Sequence, residues 1–367
     1  MCDVPALRFP EFTGEWENIT IREACSEFQS GKNIKAEMIN DQGLYPVYGG
    51  NGLRGFTGSY NHDGDYILIG RQGALCGNVR KVTGKTYVTE HAIAVCASKE
   101  HETTFLQHLF QKMRLGQYSD QSAQPGLAVN KLLRLNINVP SKIEQGKIAK
   151  ILSLIDERIT TQNKIIEKLE TLIKGIVELA FSHAATSNTL GSCITQISQR
   201  NKIGKNLPVL SVSNKHGFVE QSEQFEDRII ASDDTSNYKI VSINDFAFNP
   251  ARINVGSIAR LKDKEGGIVS PMYICFRASK DILPEYLELF FKTVTFSSEV
   301  GKRLEGSVRL CLSFEGLCEI VIPIISIREQ QSLVKMVTAF YSKLDIEKGL
   351  LRSYQSQKQY LLSQMFI

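Results

Sequence analysis

The sequence predicts an α+β protein in which two mixed α/β domains are each followed by one long helix. The main evidence is a repeat, because residues 144–181 align without a gap on residues 329–366, about 185 residues further along (329 minus 144). Before each copy, short apolar segments and turns follow one another in the same order. The chain is therefore predicted to run domain, helix, domain, helix.

Both copies carry an apolar seam with heptad spacing, interrupted near its middle by one polar residue. That residue is Gln162 in the first copy and Glu347 at the corresponding position of the second, where Lys358 is a further departure. The apolar members of the first seam are Ile148, Leu152, Ile155, Ile159, Ile166, Leu169, Ile173, Ile176 and Ala180. Those of the second seam are Leu333, Val337, Phe340, Leu344, Leu351, Tyr354, Leu361 and Met365.

The predicted helices are much longer than an ordinary globular helix. At about 1.5 Å per residue, the 38 residues from 144 to 181 form a rod of roughly 57 Å. Neither helix can bury its apolar stripe alone, so we expect the two to pack on each other. Two unrelated core helices are the alternative, but the shared start, end and polar position favour a true repeat.

The first domain is assigned to residues 1–141, with considerable β structure and one helix at Glu102–Leu115. Its predicted strands include Tyr66–Ile69, Asn78–Val82, Tyr87–Val95 and Leu135–Val139. Residues 142–184 are assigned to the first long helix and a linker, and the whole polar run Ser182–Thr189 has the composition of a linker.

The second domain is assigned to residues 185–326 and the second long helix to residues 327–367. This domain resembles the first in plan, with much weaker identity, and closes with an apolar strand predicted at Leu317–Pro323. The two domains therefore look like diverged versions of one unit.

Composition is that of an ordinary soluble globular protein, with 367 residues, 42% hydrophobic and 22% charged. The net charge of +4 permits a polyanionic partner without requiring one. The eight cysteines form no CxxC pair, the N-terminal residues lack the apolar core of a signal peptide, and no run approaches 18 apolar residues. We therefore expect a cytoplasmic protein with free thiols and no metal site.

Several segments resemble motifs of a known family. They are the opening of the first helix at Glu144–Ala149, the glycine-rich segment Tyr45–Gly52 and the segment Ser122–Leu127. With the repeat, they make the chain similar over nearly its whole length to the DNA-specificity subunits of Type I restriction–modification enzymes. The second half departs from the pattern, because Pro208–Asn214 replaces the glycine-rich loop and Gly306–Arg309 replaces the Gln-Pro segment.

The resemblance implies a protein that binds double-stranded DNA and catalyses nothing itself. Each domain would be a target-recognition domain that reads one half of a bipartite, asymmetric target. The two helices would form an antiparallel coiled coil with pseudo-twofold symmetry that sets the spacer between the half-sites. A rod of this length suits two reading heads about one DNA turn, roughly 34–36 Å, apart.

The resemblance also implies partner subunits that carry the cofactors. The helices would dock two methyltransferase subunits, which bring S-adenosylmethionine, and restriction/translocase subunits, which use ATP and Mg²⁺, would then join. This chain itself would hold no cofactor. Under the implied symmetry, Gln162 and Glu347 would face each other near mid-helix as a polar layer that fixes the register.

Candidate DNA contacts are chosen because Arg, Lys, Asn and Gln at loop tips can read base edges or bind phosphates. The readers in the first domain are Asn51, Arg54, Arg71, Gln72, Gln121 and Gln124. Those in the second domain are Asn214, Lys215, Arg252, Asn254 and Arg309, and the expected phosphate contacts are Arg80, Lys81 and Arg260. His91 follows Glu90 and is interpreted as a satisfied strand residue.

Two other interpretations stay open. One is the recognition subunit of a fused Type II-like system, which only its partner genes would distinguish. The other is a coiled-coil scaffold with two protein- or carbohydrate-binding lobes, which would bind no DNA even with its partners present.

Overall fold

A computed structural model describes residues 4–120, 125–182, 186–204, 206–221, 235–262, 266–306 and 309–367. The chain divides into two compact units. The first unit consists of Met1–Lys164 and Lys348–Ile367, and the second consists of Ile165–Glu347. Each long helix therefore contributes one part to each unit. The predicted mixed α/β class with two long helices is confirmed.

The lobe of the first unit, meaning its part outside the long helices, combines sheets with short helices. Its strands are β1 (Glu17–Thr20), β2 (Cys25–Ser30), β3 (Tyr45–Gly49), β4 (Gly52–Thr57), β5 (Asp65–Gly70), β6 (Val79–Thr83), β7 (Tyr87–Val88), β8 (Ala92–Ala97) and β9 (Asn136–Val139). Its helices are α1 (Ile21–Ala24), α2 (Thr103–Met113) and α3 (Val129–Leu132), with 3₁₀ turns at Ala36–Met38 and Leu115–Tyr118.

Two sheets form most of this lobe among the described residues, in the orders β2-β8-β5-β6 and β4-β3-β7. Strand β5 pairs antiparallel with β6 and β8, with Ile67 opposite Val95. Ile67 and Ile69 belong to the core that contains Phe105 of α2, whereas Leu68 packs with a separate cluster on the other face. Burial on both faces explains why β5 is a nearly continuous apolar run.

The second unit follows the succession of the first, with one additional strand (Lys239–Ser242) and one additional helix (Val294–Lys302). Its strands are β10 (Thr186–Thr189), β11 (Ile194–Ile197), β12 (Val209–Ser213), β13 (Gly217–Glu220), β14 (Lys239–Ser242), β15 (Phe246–Phe248), β16 (Ile258–Arg260), β17 (Gly266–Val269), β18 (Ile274–Ala278) and β19 (Val321–Ile324). Its lobe helices are α5 (Leu190–Cys193), α6 (Pro284–Phe290), α7 (Val294–Lys302) and α8 (Phe314–Cys318), with a 3₁₀ turn at Ile253–Val255.

Its sheet orders match those of the first unit. The sheet β11-β18-β15-β16 corresponds to β2-β8-β5-β6, and the antiparallel pair β10-β19 corresponds to β1-β9. The remaining sheet, β13-β12-β17-β14, contains a parallel pair β12-β17 where the first unit has the parallel pair β3-β7. The second lobe is thus a diverged copy of the first, as the sequence predicts.

Three predicted segments are wrong in detail. Tyr87–Val95 is two strands, because the chain leaves the sheet of β7 after Val88 and enters the sheet of β8 at Ala92. The strand predicted at Leu317–Pro323 begins as helix α8 and becomes extended only at Val321. Within the predicted linker, Thr186–Thr189 is strand β10, whose backbone pairs with β19 while its polar side chains stay exposed.

The long helices are α4 (Lys142–Ser182, 41 residues) and α9 (Ile327–Gln364, 38 residues). The predicted seam is confirmed, because each of its apolar members is buried or half-buried. In the first unit, Asp156 pairs with Lys358 at 2.6 Å and Arg158 lies over the ring of Tyr354 at 5.9 Å. Residue numbers rise along α4 as they fall along α9, so the two segments run antiparallel.

A buried glutamine joins the start of α4 to the lobe of the first unit. Gln145 Oε1 accepts a hydrogen bond from the Glu102 backbone N–H at 2.9 Å, and Gln145 Nε2 donates to the Pro140 carbonyl at 2.8 Å. Its Nε2 also lies 3.0 Å from His101 Nδ1. One fully buried amide therefore satisfies backbone groups at the start of α2 and after β9.

The second unit repeats this contact at the start of α9. Gln330 Oε1 accepts from the Leu283 backbone N–H at 2.9 Å, and Gln330 Nε2 donates to the Ile325 carbonyl at 3.0 Å. Gln145 and Gln330 stand at matching positions of the repeat and make the same two backbone hydrogen bonds, which explains why glutamine occurs at both.

The aromatic end of each repeat has a matching role as well. Phe366 packs on Phe105 of the first unit, with ring centroids 5.3 Å apart. Phe181 packs on Tyr286 and Phe290 of the second unit, at 4.7 and 5.3 Å. Each long helix thus begins with an amide and ends with a phenyl ring anchored in a lobe.

Candidate nucleic-acid interface

The tight turn between β3 and β4 brings the first predicted reading segment close to the backbone of two other loops. Gly49 pairs with Gly52 across the turn, which leaves Gly50 and Asn51 at its tip. A Cβ atom at Gly50 would lie 2.7 Å from the His91 carbonyl oxygen. Gly52 has φ +107° and a Cβ there would meet the Arg80 guanidinium at 2.8 Å. Gly50 is therefore required by close packing on a backbone carbonyl, and Gly52 by its positive φ.

A shallow depression of about 340 Å³ lies beside this turn. Its lining residues are Gly49, Gly50, Asn51, Arg54, Gln72, Gly73 and His91. Two segments singled out in the sequence, the turn at 49–54 and the turn after β5, therefore share one site. The side chains of Asn51, Arg54 and Gln72 are exposed around it and free to approach a ligand edge.

The segment that holds the predicted readers Gln121 and Gln124 is attached to the turn after β5 through the residues that flank it. The Leu127 N–H donates to the Arg71 carbonyl at 2.9 Å, and the Gly73 N–H donates to the Pro125 carbonyl at 3.1 Å. Gly126 also forms an antiparallel bridge with Asp120. Gln121 and Gln124 lie between these anchored positions and fall outside the described residues.

The basic residues of this lobe differ in how free they are. Arg80 is exposed, whereas Arg71 is half-buried with Nη1 3.5 Å from the Glu90 carbonyl oxygen. Lys81 pairs with Asp65 at 2.9 Å and donates to Thr104 Oγ1 at 3.1 Å, and its hydrogen bond holds the pKa of the Asp65 carboxyl below its usual value. Lys81 is thus partly occupied inside the lobe.

In the second lobe, Asn214 and Lys215 occupy the exposed turn between β12 and β13. Ser213 Oγ accepts from the Lys215 and His216 backbone N–H groups at 3.3 and 3.4 Å, which shapes the turn. The turn is thus shaped by the serine, and the Asn214 and Lys215 side chains are exposed on it.

The turn after β15 exposes Arg252 and Asn254. Asn249 Oδ1 accepts from the Ala251 N–H at 3.1 Å, and the Asn249 carbonyl accepts from the Arg252 N–H at 3.0 Å. The segment Asn249–Arg252 is therefore a turn, as the sequence predicts, at the place that the Arg71 turn holds in the first lobe.

One backbone hydrogen bond identifies corresponding edges in the two lobes. The Leu312 N–H donates to the Pro250 carbonyl at 3.1 Å, as the Leu127 N–H does to the Arg71 carbonyl. Leu312 follows Leu127 by 185 residues (312 minus 127), the same offset as the helices. In each lobe, the turn after the central strand (β5 or β15) therefore contacts the segment that precedes the matched leucine (Leu127 or Leu312).

The segments before those leucines also match in length. Asp120 bridges Gly126, and Glu305 bridges Cys311, so each pair encloses five residues (121–125 and 306–310). Arg309 is exposed within the second segment, where residues 307 and 308 fall outside the described residues. The sequences differ while their anchored ends agree.

Arg260 does not have the free side chain that a phosphate contact needs. Its guanidinium pairs with Glu285 at 2.6 Å and Glu288 at 3.0 Å, and it donates to Asn244 Oδ1 at 2.5 Å. Only 10% of its side chain is exposed. Its carboxylate partners lie on α6, more than twenty residues further along, so no local pattern in the sequence indicated this role.

The structure adds basic residues that the sequence did not single out. A groove of about 520 Å³ beside the β12–β13 turn is lined by Lys262 and Lys292 as well as Lys215. Lys262 pairs with Glu288 at 2.5 Å. Burial alone would raise the pKa of Glu288, but the hydrogen bond from Lys262 and the nearby Lys292 charge lower it overall. The groove thus has a cationic rim over a half-buried carboxylate.

The two predicted polar seam residues are buried. Gln162 is 6% exposed and Glu347 is 8% exposed, and Glu347 accepts from Lys343 Nζ at 2.7 Å within the same helix. Their position inside the seam agrees with a polar layer, and their facing each other stays a prediction. Among the described residues, no cluster of His, Cys, Asp and Glu could hold a metal ion. None of the described helices is long and apolar enough to cross a membrane.

The fold defines a class of protein in which two similar lobes with matching turns are each followed by a long helix. A family model described as "Type I restriction modification DNA specificity domain" matches residues 13–171. Residues 13–171 therefore carry a domain of this family.

Two curated relatives are similar to part of the chain. The EcoprrI specificity subunit of a type I restriction enzyme from Escherichia coli is 42% identical over 165 residues, 44% of this chain. A putative type I specificity subunit from Haemophilus influenzae is 25% identical over 144 residues, 38% of this chain. The matched part spans 40% and 37% of the length of these two relatives.

Two solved structures share the fold over nearly the whole chain. The S subunit of the Type I restriction–modification system from M. genitalium has a TM-score of 0.66 and 19% identity, and covers 99% of each chain. A structure from work on complex assembly of the type I R-M system has a TM-score of 0.55 and 13% identity, covering 97% of this chain and 98% of its own. These likenesses extend the fold assignment to the second lobe.

Proposed function

We propose that this chain is the DNA-specificity subunit of a Type I restriction–modification complex. Each lobe reads one half of a bipartite, asymmetric DNA target, and the long helices set the spacer between the halves. The chain catalyses nothing itself. It works in the cytoplasm beside methyltransferase subunits that bind S-adenosylmethionine and restriction/translocase subunits that use ATP and Mg²⁺.

The observation that carries this proposal is the paired polar edge. Both lobes put the turn after the central strand against a five-residue segment through one conserved backbone hydrogen bond. In each lobe this turn holds an arginine, half-buried Arg71 or exposed Arg252, and an exposed amide, Gln72 or Asn254, which can donate to base edges or phosphates. A constant frame with different side chains suits two readers of two different half-sites.

The reading residues follow from their exposure. In the first lobe Asn51, Arg54 and Gln72 surround the depression, and Arg71 and Arg80 lie beside it. In the second lobe the corresponding set is Asn214, Lys215, Arg252, Asn254 and Arg309. Lys262 and Lys292 are 47% exposed at the same groove and are phosphate candidates, although both also pair with Glu288. Lys81 stays a phosphate candidate, whereas Arg260 is assigned to the ion pairs of its own lobe.

An exposed apolar stripe on α4 supports docking of partner subunits. Ile165, Leu172 and Leu179 are 37%, 46% and 60% exposed and stand seven residues apart, which puts them on one helix face. They are not members of the buried seam. The expected occupants are methyltransferase subunits, of which we propose two.

The test is to reconstitute the chain with the methyltransferase subunit encoded beside it and to map methylated adenines in exposed DNA. We expect one split, asymmetric motif. Arg71→Ala or Asn51→Ala should relax one half of the motif and leave the other half unchanged. Lys150→Ala, which removes one exposed positive charge from α4, is the control and should leave both halves unchanged.

Different failures would have different meanings. Partners that bind the chain without any methylated motif or DNA binding would overturn the DNA role and favour the scaffold alternative. A motif whose two halves relax together in Arg71→Ala would overturn the assignment of one half-site to each lobe.

A further inference from the structure

His91 lies in the loop between β7 and β8, at the depression that the reading residues of the first lobe surround. It lies in a loop, not in the strand that the sequence suggested, and 45% of its side chain is exposed. Its Nδ1 lies 3.1 Å from Gln72 Oε1, and its Nε2 lies 3.3 Å from Glu90 Oε1. The ring therefore links a carboxylate to the amide of a candidate base reader.

The backbone fixes this arrangement. The Arg71 N–H donates to the His91 carbonyl at 2.9 Å, and Gly50 packs so closely on that carbonyl that no Cβ would fit. Glu90 Oε2 is buried without a hydrogen-bond partner among the described residues. Three loops thus meet at His91, and the charged groups around the ring are Glu90, Arg71 and Arg54.

The partners of the ring couple its protonation to the amide of Gln72. The Glu90 carboxylate lies 3.3 Å from Nε2, so the neutral ring favours the tautomer with its proton on Nε2, because a lone pair there would face the negative charge. When Nδ1 also carries a proton, it donates to Gln72 Oε1 and leaves the amide NH₂ for the depression. When Nδ1 has a lone pair, it accepts from the amide NH₂, and Oε1 then faces the depression.

We propose that His91 is a positioning residue that decides whether Gln72 presents a hydrogen-bond donor or an acceptor to DNA. This inference rests on the proposed function. A donor at this place favours base edges such as guanine O6 and N7, and an acceptor favours the amino groups of adenine or cytosine. One base position in the half-site of the first lobe is therefore read according to the protonation of His91.

The second lobe provides an internal control. The aligned strands β8 and β18 place Met272 where His91 stands, and the matched turns place Ala251 where Gln72 stands. Neither side chain can change between donor and acceptor. The half-site of the second lobe should be indifferent to this switch.

The experiment selects DNA from a random duplex library with the reconstituted complex at pH 6 and at pH 8, followed by sequencing. We expect the wild-type complex to change its base preference at one position of the first half-site by about fivefold, the effect of one hydrogen bond. His91→Met should abolish this pH dependence. His91→Lys supplies a permanent donor and should keep the pH 6 preference at both pH values.

Each outcome decides a separate claim. A split sequence whose first half-site ignores both pH and His91→Met would overturn the role of His91 and leave the proposed function standing. A pH shift of the first half-site that persists in His91→Met would also overturn it, because the shift would then come from a group other than His91. Failure to enrich any split sequence at either pH would overturn the proposed function and this inference with it.

Discussion

Removing the buried amide at Gln145 should destabilise the first unit selectively. Gln145→Leu keeps much of the side-chain volume but leaves the Glu102 N–H and the Pro140 carbonyl without their partner. Both groups lie where α4 meets the lobe, at a side chain that is itself fully buried. The substitution therefore tests whether the repeated glutamine is a structural joint.

The magnitude follows from the two orphaned backbone groups. A buried group that loses its partner costs about 1–3 kcal/mol, so two of them cost on the order of 3 kcal/mol after partial relaxation. With a urea m-value of about 3 kcal/mol/M, the unfolding midpoint of the first unit should fall by about 1 M. Gln330→Leu should have a similar effect on the second unit, because it orphans the Leu283 N–H and the Ile325 carbonyl.

Urea unfolding followed by hydrogen exchange of peptides from each unit distinguishes the two effects. The matched control is Gln331→Leu, since Gln331 adjoins Gln330 in sequence and has an exposed side chain. It should move the midpoint by less than about 0.2 M. An unchanged midpoint in Gln145→Leu, or faster exchange that is confined to the second unit, would refute the joint.

Three further predictions test other parts of the molecule. His108 is buried, and burial lowers its pKa to about 4. The unfolded chain, in which the pKa of histidine is about 6.5, therefore takes up the proton first as the pH falls. The free energy of unfolding should drop by about 2 kcal/mol between pH 7 and pH 5 for this reason. His108→Leu should remove that loss in pH-dependent urea titrations, and an identical acid loss in the variant would contradict it. Phe366→Ala should cost about 3–4 kcal/mol through the lost contact with Phe105, and a thermal-unfolding cost below 1 kcal/mol would contradict this packing role. Inserting seven residues after both Gln162 and Glu347 adds about 10 Å to the rod and should lengthen the mapped spacer by about three base pairs, whereas an unchanged spacer would refute the ruler.

The helices were predictable because a helix repeats its environment every few residues. The seam of α4 needs only local spacing to be recognised, and its members are buried as the spacing requires. The glutamine joint also left a trace, since Gln145 and Gln330 match in the repeat. Its meaning was hidden because the amide bonds to backbone groups that no side-chain pattern reveals.

Strand β10 was missed for a related reason. Thr186–Thr189 is held by backbone pairing to β19, and its exposed side chains carry no apolar alternation. The role of Arg260 was missed because its partners Glu285 and Glu288 come from a helix that folds back onto β16. Sequence patterns predict which face of a helix or strand is buried. They do not predict contacts between elements that are far apart in the chain.

In the candidate site, too, single residues could be predicted from the sequence, whereas contacts between loops could not. Loop composition identified Asn51 and Gln72, because exposed amides beside glycines are a local signal. The link from Gln72 to His91 spans 19 residues and depends on three loops meeting, which only the fold supplies. Half-site preference would then depend on such links as well as on the reading residues. Exchanging residues 121–125 for residues 306–310 should therefore transfer only part of the second lobe's base preference. The matched anchors at Asp120 and Glu305 hold the exchanged segment, but its neighbouring loops stay those of the first lobe.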